Sequence, residues 1–288
     1  MAQAHRDGVR GQGVLVGVLD SGCDADHREF RRRRIEYRYF PLSRNKKEVR
    51  AVRGFDVHGH GTHVSGIIAG ERIGVAPDAE LLVASVIESE RVTTSMERIV
   101  MALDWMLSHF QMDEHAGKPT IINMSRGFRR EWVSGALADT VLDGMRNLLA
   151  LLVEIDVLPV VAIGNDGPGI GRVPGFFPEV LSVGAVDFQH RPAPFSGGGT
   201  LEGGVSAPDL VGYGVEVLSS LERSAENRSV YAEMSGTSMA TPYVAGIAAL
   251  LASKDGLEGT LLRQRLTNDA MPLSFPADRV GSGLARYS

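Results

Sequence analysis

Five short apolar runs, each rich in Val, Ile and Leu, alternate along the chain with longer segments of helical periodicity. A short run of this kind is typical of a strand that is buried on both faces of a parallel sheet. Alternation with helices predicts a parallel sheet that is covered by helices on both sides. We therefore predict one α/β domain over residues 1–288, with three layers (α/β/α) and a mostly parallel central sheet. The predicted strands are residues 14–19, 81–86, 120–124, 158–163 and 180–186, and the predicted helices are residues 62–69, 95–110, 133–153, 238–252 and 257–266.

Residues 189–232 break this rhythm, because they are rich in Gly, Ser and Pro. We expect short strands and loops there. Glycine is also abundant in the whole chain, at 34 of 288 residues, which indicates tight turns and close backbone packing.

Composition argues against several classes of protein. The net charge of −5 disfavours nucleic acid as the main partner. Cys23 is the only cysteine, so the chain forms no intrachain disulfide, and we expect a buried packing thiol rather than a redox switch. No apolar run reaches the roughly 18 residues of a membrane span, and the first residues lack an apolar signal core. We therefore expect a cytoplasmic protein with no membrane partner.

Polar side chains stand where three of the apolar runs end. They are Asp20, Ser125 and Asn165. Ligands of a parallel sheet gather at the carboxyl ends of its strands, so these positions indicate a functional site.

Three motifs hold the residues that carry chemistry. Asp20 begins Asp-Ser-Gly, which by itself is an ordinary turn after a strand. His58, His60 and His63 lie close enough for a metal site, but the sequence that follows supplies no Cys, Asp or Glu at ligand spacing. Ser238 enters an Ala-rich helix after a glycine turn, where it caps the helix unless a nearby base makes it a nucleophile.

Taken together, these motifs resemble those of the subtilisin-like serine proteases, in which the Asp, His and Ser of a catalytic triad occur in this order. The resemblance covers the chain from about residue 11 to its end and implies a subtilisin-like fold. The main blocks are Val-Leu-Asp-Ser-Gly-Cys at 18–23, with 26–30 after it, His-Gly-Thr-His-Val-Ser-Gly at 60–66 and Gly-Thr-Ser-Met-Ala-Thr-Pro at 236–242. Further matches are residues 74–79, 122–127, 162–167, 183–187 and 281–284.

The resemblance implies a role for each matched residue. Ser238 would attack the peptide carbonyl, and His60 would take its proton and pass it to the leaving amine. Asp20 would orient His60 and stabilise its charged form. The Asn165 side chain and the backbone N–H of Ser238 would hold the oxyanion. His63 is expected to pack or to form a hydrogen bond on its helix.

The resemblance also implies that the substrate lies extended beside residues 124–127. Arg126 stands where the family usually has Leu, and Arg172 falls at the expected base of the pocket for the residue before the cut. We hypothesise a preference for an acidic residue there, because guanidinium groups pair with carboxylates. The alternatives are a solvated Arg126 and an ordinary loop Arg172. The predicted substrate-binding residues are Ser125, Arg126, Gly127, Ala162, Gly164 and Arg172.

Two features depart from the family pattern. Only 19 residues precede Asp20, so we expect no prosegment. The loop at 69–74 is short and holds one carboxylate, Glu71, so we expect that the calcium site often found there is absent. We expect no other metal and no cofactor.

The segment 28–53 is strongly basic, with 11 basic side chains and three acids, a net charge of +8. A charged run is usually a solvated loop. The alternative is a docking patch for an acidic substrate or partner.

These observations favour an intracellular serine endopeptidase that acts on a restricted protein or peptide precursor. We also expect a regulatory protein partner, because the expected lack of a prosegment leaves the activity otherwise unrestrained. One alternative is a peptidyl transferase (a ligase or macrocyclase) that uses the same acyl-enzyme. Another is a catalytically silent peptide-binding module.

Overall fold

A seven-stranded sheet, parallel throughout, forms the centre of the computed structural model. The structure describes residues 2–41, 53–88, 94–132, 138–200 and 206–288. The strands in these ranges are β1 (Leu15–Asp20), β2 (Ile35–Tyr39), β3 (Glu80–Ser85), β4 (Thr120–Met124), β5 (Val157–Ala162), β6 (Leu181–Val186), β7 (Gly199–Thr200), β8 (Ser206–Ala207), β9 (Leu210–Tyr213), β10 (Val217–Leu221) and β11 (Val230–Met234).

The helices follow the predicted order. In the same ranges they are α1 (Ala2–Arg6), α2 (His60–Ala69), α3 (Met96–Phe110), α4 (Ala138–Glu154), α5 (Thr237–Asp255), α6 (Gly259–Asp269) and α7 (Ala277–Val280). Two short 3₁₀ helices cover Asp113–His115 and Arg130–Trp132. The predicted start of α4, residues 133–137, lies outside the described residues.

The strand order across the sheet is β2-β3-β1-β4-β5-β6-β9. All five predicted strands are present, with ends that differ from the prediction by about one residue. The structure adds β2 and β9, which lie at the two edges of the sheet. β2 was missed because its Ile-Glu-Tyr-Arg-Tyr sequence alternates and is half exposed, and β9 because it has only four residues.

Alternate side chains along the strands enter different hydrophobic clusters. Val16 and Val18 of β1 pack in a cluster with α2 and α5. Leu15 and Leu19 of the same strand pack in a second cluster with α3 and α4. Helices therefore cover both faces of the sheet, which confirms the three-layer α/β/α prediction.

Outside the central sheet, the strands form two antiparallel pairs, as expected for short strands after residue 189. One joins β7 to β8, and the other joins β10 to β11. The β10–β11 hairpin packs on α2: the Ser219 and Ser220 hydroxyls donate to the carbonyls of His63 and Thr62 at 2.8 and 3.0 Å. This contact anchors the start of α2, where the predicted catalytic histidine lies.

The arginines of the basic segment pair with acids of neighbouring elements. Arg33 donates to Asp78 at 3.3 Å, and Arg34 donates to Glu36 at 2.7 Å. Asp78 lies outside the segment and offsets part of its positive charge, whereas Glu36 is one of the three acids already counted in the net charge of +8. The solvated loop and the docking patch both stay predictions. Lys46, Lys47 and Arg50 lie outside the described residues.

Two other expectations concern the single cysteine and membrane-spanning segments. Cys23 is fully buried, and burial raises the pKa of its thiol, as suits a packing side chain. None of the helices in the described ranges has the length and hydropathy needed to cross a membrane.

Candidate active site

The predicted site residues follow strands that are neighbours in the sheet. Asp20 is the last residue of β1, Ser125 follows β4 directly, and Asn165 comes three residues after β5. β1, β4 and β5 are adjacent and parallel. Their carboxyl ends therefore bring the three polar side chains to one edge of the sheet.

Asp20 and His60 form a direct pair at this edge. His60 Nδ1 lies 2.7 Å from Asp20 Oδ1, which also accepts the Ser21 amide at 2.7 Å. Asp20 is fully buried, and His60 is 8% exposed. Burial by itself raises the pKa of Asp20, but the charge and hydrogen bond of His60, the charge of Arg126 and the Ser21 amide outweigh it, so this pKa lies below its ordinary value. The carboxylate is therefore held ionised against the imidazole.

Close backbone contacts place His60 at the start of α2. Gly59 precedes it with a φ of 82°, a conformation that favours glycine. A Cβ at Gly61 would stand 2.1 Å from the carbonyl oxygen of Gly22, so only glycine lets α2 approach the loop after β1. Asp56 accepts from the amide and the hydroxyl of Thr62, both at 2.7 Å, and satisfies donors of the first turn.

The neighbouring histidines do not form a metal site with His60. His63 Nε2 lies 3.0 Å from the carbonyl oxygen of Ala232, and burial lowers the pKa of His63 to about 4. The ring centroid of His58 lies 6.4 Å from that of His60, and the two ring planes are inclined at 64°. Within the described ranges, no three His, Cys, Asp or Glu side chains are grouped to hold a metal ion.

Ser238 lies in the first turn of α5, beside the end of β4. Its hydroxyl donates to the carbonyl oxygen of Ser125 at 2.7 Å. A hydroxyl has one proton to donate, so Ser238 does not donate to His60 in this conformation. Catalytic hydrogen bonds often form only once substrate is bound, so this geometry is compatible with a nucleophile.

Asn165 is held next to the same turn. Its Oδ1 accepts from the amide and the hydroxyl of Thr237, at 2.8 and 2.9 Å. These two donors fix the orientation of the amide, and its Nδ2 is the group placed to donate to a ligand. Asn165 is exposed at the surface of the site.

The predicted substrate-binding residues flank the same edge. Ser125 is buried, and its hydroxyl accepts from Asn123 at 2.9 Å. Arg126 is half-buried and acts electrostatically on Asp20. Ala162 is buried at the end of β5, and a Cβ at Gly164 would stand 2.8 Å from Cγ of Arg172.

Arg172 belongs to a cluster of three charged side chains, of which only Arg172 was predicted as a site residue. Its Nε donates to Asp166 Oδ2 at 2.6 Å, and Arg129 Nε donates to Oδ1 of the same carboxylate at 3.0 Å. The hydrogen bond from Arg172 is the main cause that lowers the pKa of Asp166 to about 2; partial burial opposes it and Arg129 assists it. Asp166 and Arg129 were not predicted. Asp166 directly follows Asn165 in the matched block, so its position was the available signal.

Sequence comparison places the chain in a known family. The profile of the subtilase family, peptidase S8, matches residues 11–285. The chain is 45% identical to the subtilisin-like protease PopC of Myxococcus xanthus over 291 residues, 99% of this chain and 61% of PopC. It is 32% identical to an intracellular serine protease of Paenibacillus polymyxa, over 96% of this chain and 79% of that protein. The chain thus spans about three fifths of PopC.

Solved structures agree with this assignment. The prenylagaramide maturation protease PagA superposes with a TM-score of 0.75 at 26% identity, over 99% of this chain and 95% of PagA. A cold-adapted subtilisin-like serine proteinase superposes with a TM-score of 0.72 at 26% identity, over 96% of this chain and 88% of that one. The chain therefore belongs to the subtilase family of serine endopeptidases.

Proposed function

We propose that this chain hydrolyses peptide bonds through Asp20, His60 and Ser238, with Asn165 in the oxyanion hole. The buried contact of 2.7 Å between His60 Nδ1 and Asp20 Oδ1 carries the proposal. A carboxylate fixed on one imidazole nitrogen leaves the other nitrogen basic, as general base catalysis requires. Ser238 and Asn165 are held at the same edge of the sheet by Ser125 and Thr237.

The first half of the reaction forms an acyl-enzyme. The Ser238 hydroxyl turns from the Ser125 carbonyl toward His60 Nε2, which takes its proton as Oγ attacks the substrate carbonyl carbon. Asn165 Nδ2 and the Ser238 amide donate to the oxyanion. His60 then gives the proton to the leaving amine, and the peptide bond breaks.

The second half releases the acid product. Water enters, His60 takes one of its protons, and the resulting attack cleaves the ester and returns the proton to Ser238. Asp20 stabilises the charged imidazole in both halves and stays ionised.

The decisive experiment compares the wild type with Ser238→Ala. A fluorophosphonate probe should label the wild-type protein at Ser238, and the variant should neither be labelled nor cleave peptides. Ser235→Ala is the matched control, because Ser235 is exposed three residues away and its hydroxyl accepts the Glu216 amide. Unlabelled, folded wild-type protein would favour the silent peptide-binding module.

A peptidyl transferase is the second candidate. The similarity to PagA, which is described as a maturation protease, fits this candidate as well as the hydrolase. An amine would then replace water in attacking the acyl-enzyme. Mass spectrometry separates the two reactions, since the hydrolysis products together gain one water and a ligated or cyclised product does not.

The physiological substrate is proposed to be a restricted intracellular protein or peptide precursor, with activity controlled by a protein partner. Similarity to relatives named as intracellular serine proteases supports the location. Mapping of new termini in a cell lysate, with wild type against Ser238→Ala, should show few cleavage sites. Extensive degradation of casein by the purified chain would contradict both restriction and partner control.

A further inference from the structure

The two oxygens of the buried Asp20 carboxylate are satisfied unequally. Oδ1 lies 2.7 Å from His60 Nδ1 and accepts the Ser21 amide at 2.7 Å. Oδ2 is also buried, but it accepts no hydrogen bond from the part of the chain that the structure describes. A buried anion with an unsatisfied oxygen is costly unless a nearby positive charge compensates it. Asp20 therefore needs a cation in addition to the contacts of Oδ1.

Arg126 is placed to supply that positive charge. β1 and β4 pair in parallel as far as Asn123. The same register carried two residues further brings Asp20 level with Ser125, and Arg126 follows directly. Arg126 is half-buried, and its Nε is a buried donor that finds no acceptor within the described ranges. After the charge of His60, the charge of Arg126 is the strongest that acts on Asp20.

The two charges that act on Asp20 differ in permanence. In the proposed mechanism, His60 is positive only while it holds the proton of Ser238, and it is neutral before it acts as a base. A guanidinium stays protonated throughout the neutral range. Arg126 is therefore the cation that remains beside Asp20 when the imidazole is neutral. The family usually has Leu at this position, so the family pattern does not include this charge.

We infer that Arg126 is a positioning residue of the triad, whose permanent charge holds the Asp20 carboxylate ionised against His60 and so sets the lowest pH at which His60 acts as a base. The inference rests on the endopeptidase function proposed above. A fixed positive charge opposes the uptake of a proton nearby, whether the proton goes to Asp20 or to His60. Without that charge, the pair takes up a proton at higher pH. Contact between Arg126 and an acidic substrate side chain is a separate expectation and stays a prediction.

Other titratable groups adjoin His60 on the elements that pack around it. They are Asp20 from β1, Asp56 and His58 from the loop before α2, His63 from α2 itself, and Glu222, which follows β10 and packs its carboxylate against Gly59. α5 has no charged side chain before Lys254. A substitution at position 126 leaves all of these groups in place, so a difference between variants reports the charge of Arg126.

The test measures the rate at which a fluorophosphonate labels Ser238 as a function of pH. This small probe reacts through the triad without an extended peptide, so lost substrate contacts do not affect its rate. Arg126→Gln should move the acidic limb of the profile to higher pH by about half a unit to one unit, the effect of one charge a few ångströms away in a partly buried site. Arg126→Lys keeps the charge and should leave the limb near its wild-type pH.

Arg32→Gln is the matched control, because it also removes one positive charge. Arg32 is 81% exposed and precedes β2, at the amino ends of the strands and away from the site. This variant should leave the acidic limb unchanged, since water and salt screen an exposed charge at that distance.

Circular dichroism checks that each variant is folded. An unshifted limb in folded Arg126→Gln would overturn the inference and leave the peptidase function standing, and an equal shift in Arg126→Lys would also overturn it. A rise in peptide KM with an unshifted limb would assign Arg126 to substrate binding instead. Should Arg126→Gln fail to fold, Arg126→Leu, which carries the residue usual in the family, decides by the same measurement. Wild-type protein that is labelled at no pH would overturn the peptidase function itself.

Discussion

Asp20 shows at the scale of one residue how burial and a partner act against each other. Burial alone would raise the pKa of this carboxyl group, but the contact with His60 and the nearby positive charge of Arg126 lower it. Asp20 is therefore ionised throughout the neutral range, and Nδ1 is the imidazole nitrogen that faces it. In the proposed mechanism, Nε2 of His60 is then the nitrogen that takes the proton of Ser238.

Replacement of Asp20 by Asn should therefore lower kcat by about 10⁴-fold, the loss typical of such triads, because the amide can hold the wrong imidazole tautomer. Steady-state kinetics on a peptide substrate measures the effect. Circular dichroism checks that the variant is folded. A loss of less than about tenfold would show that Asp20 is not the orienting group.

Asn165→Ala should lower kcat by about 10²–10³-fold with little change in KM, a magnitude taken from subtilisin itself. The amide Nδ2 contributes in the transition state, where the oxyanion forms, more than in the ground state. Kinetics at saturating and low substrate concentrations separates the two constants. A rise in KM with unchanged kcat would instead assign Asn165 to substrate binding.

The lowered pKa of Asp166 predicts that the free energy of unfolding depends on pH. Its pKa is about 2 in the folded protein, below the ordinary value of 3.8, so folding favours the ionised form. That contribution is complete above the ordinary pKa and is lost as the pH falls through about 2. The difference in unfolding free energy between wild type and Asp166→Asn should therefore be constant above about pH 5 and shrink below about pH 4.

Urea unfolding at several pH values measures this difference. Asp139→Asn is the control, because Asp139 pairs with Arg130 at an exposed site and contributes little at any pH. A gap between wild type and Asp166→Asn that stays constant down to pH 2 would contradict the assigned pKa.

Among the elements, α5 depends most on small side chains. It is apolar nearly all round, and every residue from Met239 to Ala252 is buried. A Cβ at Gly246 would stand 2.5 Å from Cβ of Val75. Glycine is therefore required there for close packing, although it lowers helix propensity.

Gly246→Ala should destabilise the protein by about 1–3 kcal/mol, the usual effect of overpacking a core. Gly144→Ala in α4 is the matched control, since a Cβ there meets nothing within 4 Å. That change should stabilise by about 0.4–1 kcal/mol, because it removes only the entropy of glycine in the unfolded chain. Thermal unfolding of both variants checks the opposite signs, and equal signs would contradict the packing argument.

For the molecule as a whole, the effect of calcium on stability depends on the loop after α2, residues 69–74. The Gly74 amide donates to the Gly70 carbonyl at 2.9 Å, which closes the loop tightly. The nearby carboxylate of Glu29 accepts the Arg72 amide at 2.8 Å and the Tyr231 hydroxyl at 2.5 Å. Each oxygen of Glu29 already accepts one hydrogen bond within the protein, and we still expect no calcium site in this loop.

Calcium should consequently leave the Tm unchanged within about 1 °C relative to EDTA, since only a ligand that binds the folded state raises it. Thermal unfolding in the two buffers provides the measurement. A rise in Tm with calcium that is abolished by Glu71→Gln would place a calcium site in this loop after all.

Much of the fold was predictable because its signals are local. Buried parallel strands are continuous apolar runs, and the periodicity of α3 together with Ser95 at its N-terminus marks a helix over few residues. The edge strands β2 and β9 were not predictable, because one is half exposed and the other is very short. Their strand character depends on pairing with β3 and β6.

For the candidate site, the resemblance of the motifs to those of the subtilisin-like proteases implied that Asp20 and His60 lie together, although 40 residues separate them. Asp20 is the last residue of β1, and His60 follows the turn at Gly59. The backbone path at each position is set locally. The sequence could not predict that Ser238 donates to Ser125 or that Arg129 joins Arg172 on Asp166, 37 residues from Arg129. Ion pairs and hydroxyl orientations have many possible partners along a chain, and only the packing of β4 beside β5 decides which of them come within reach.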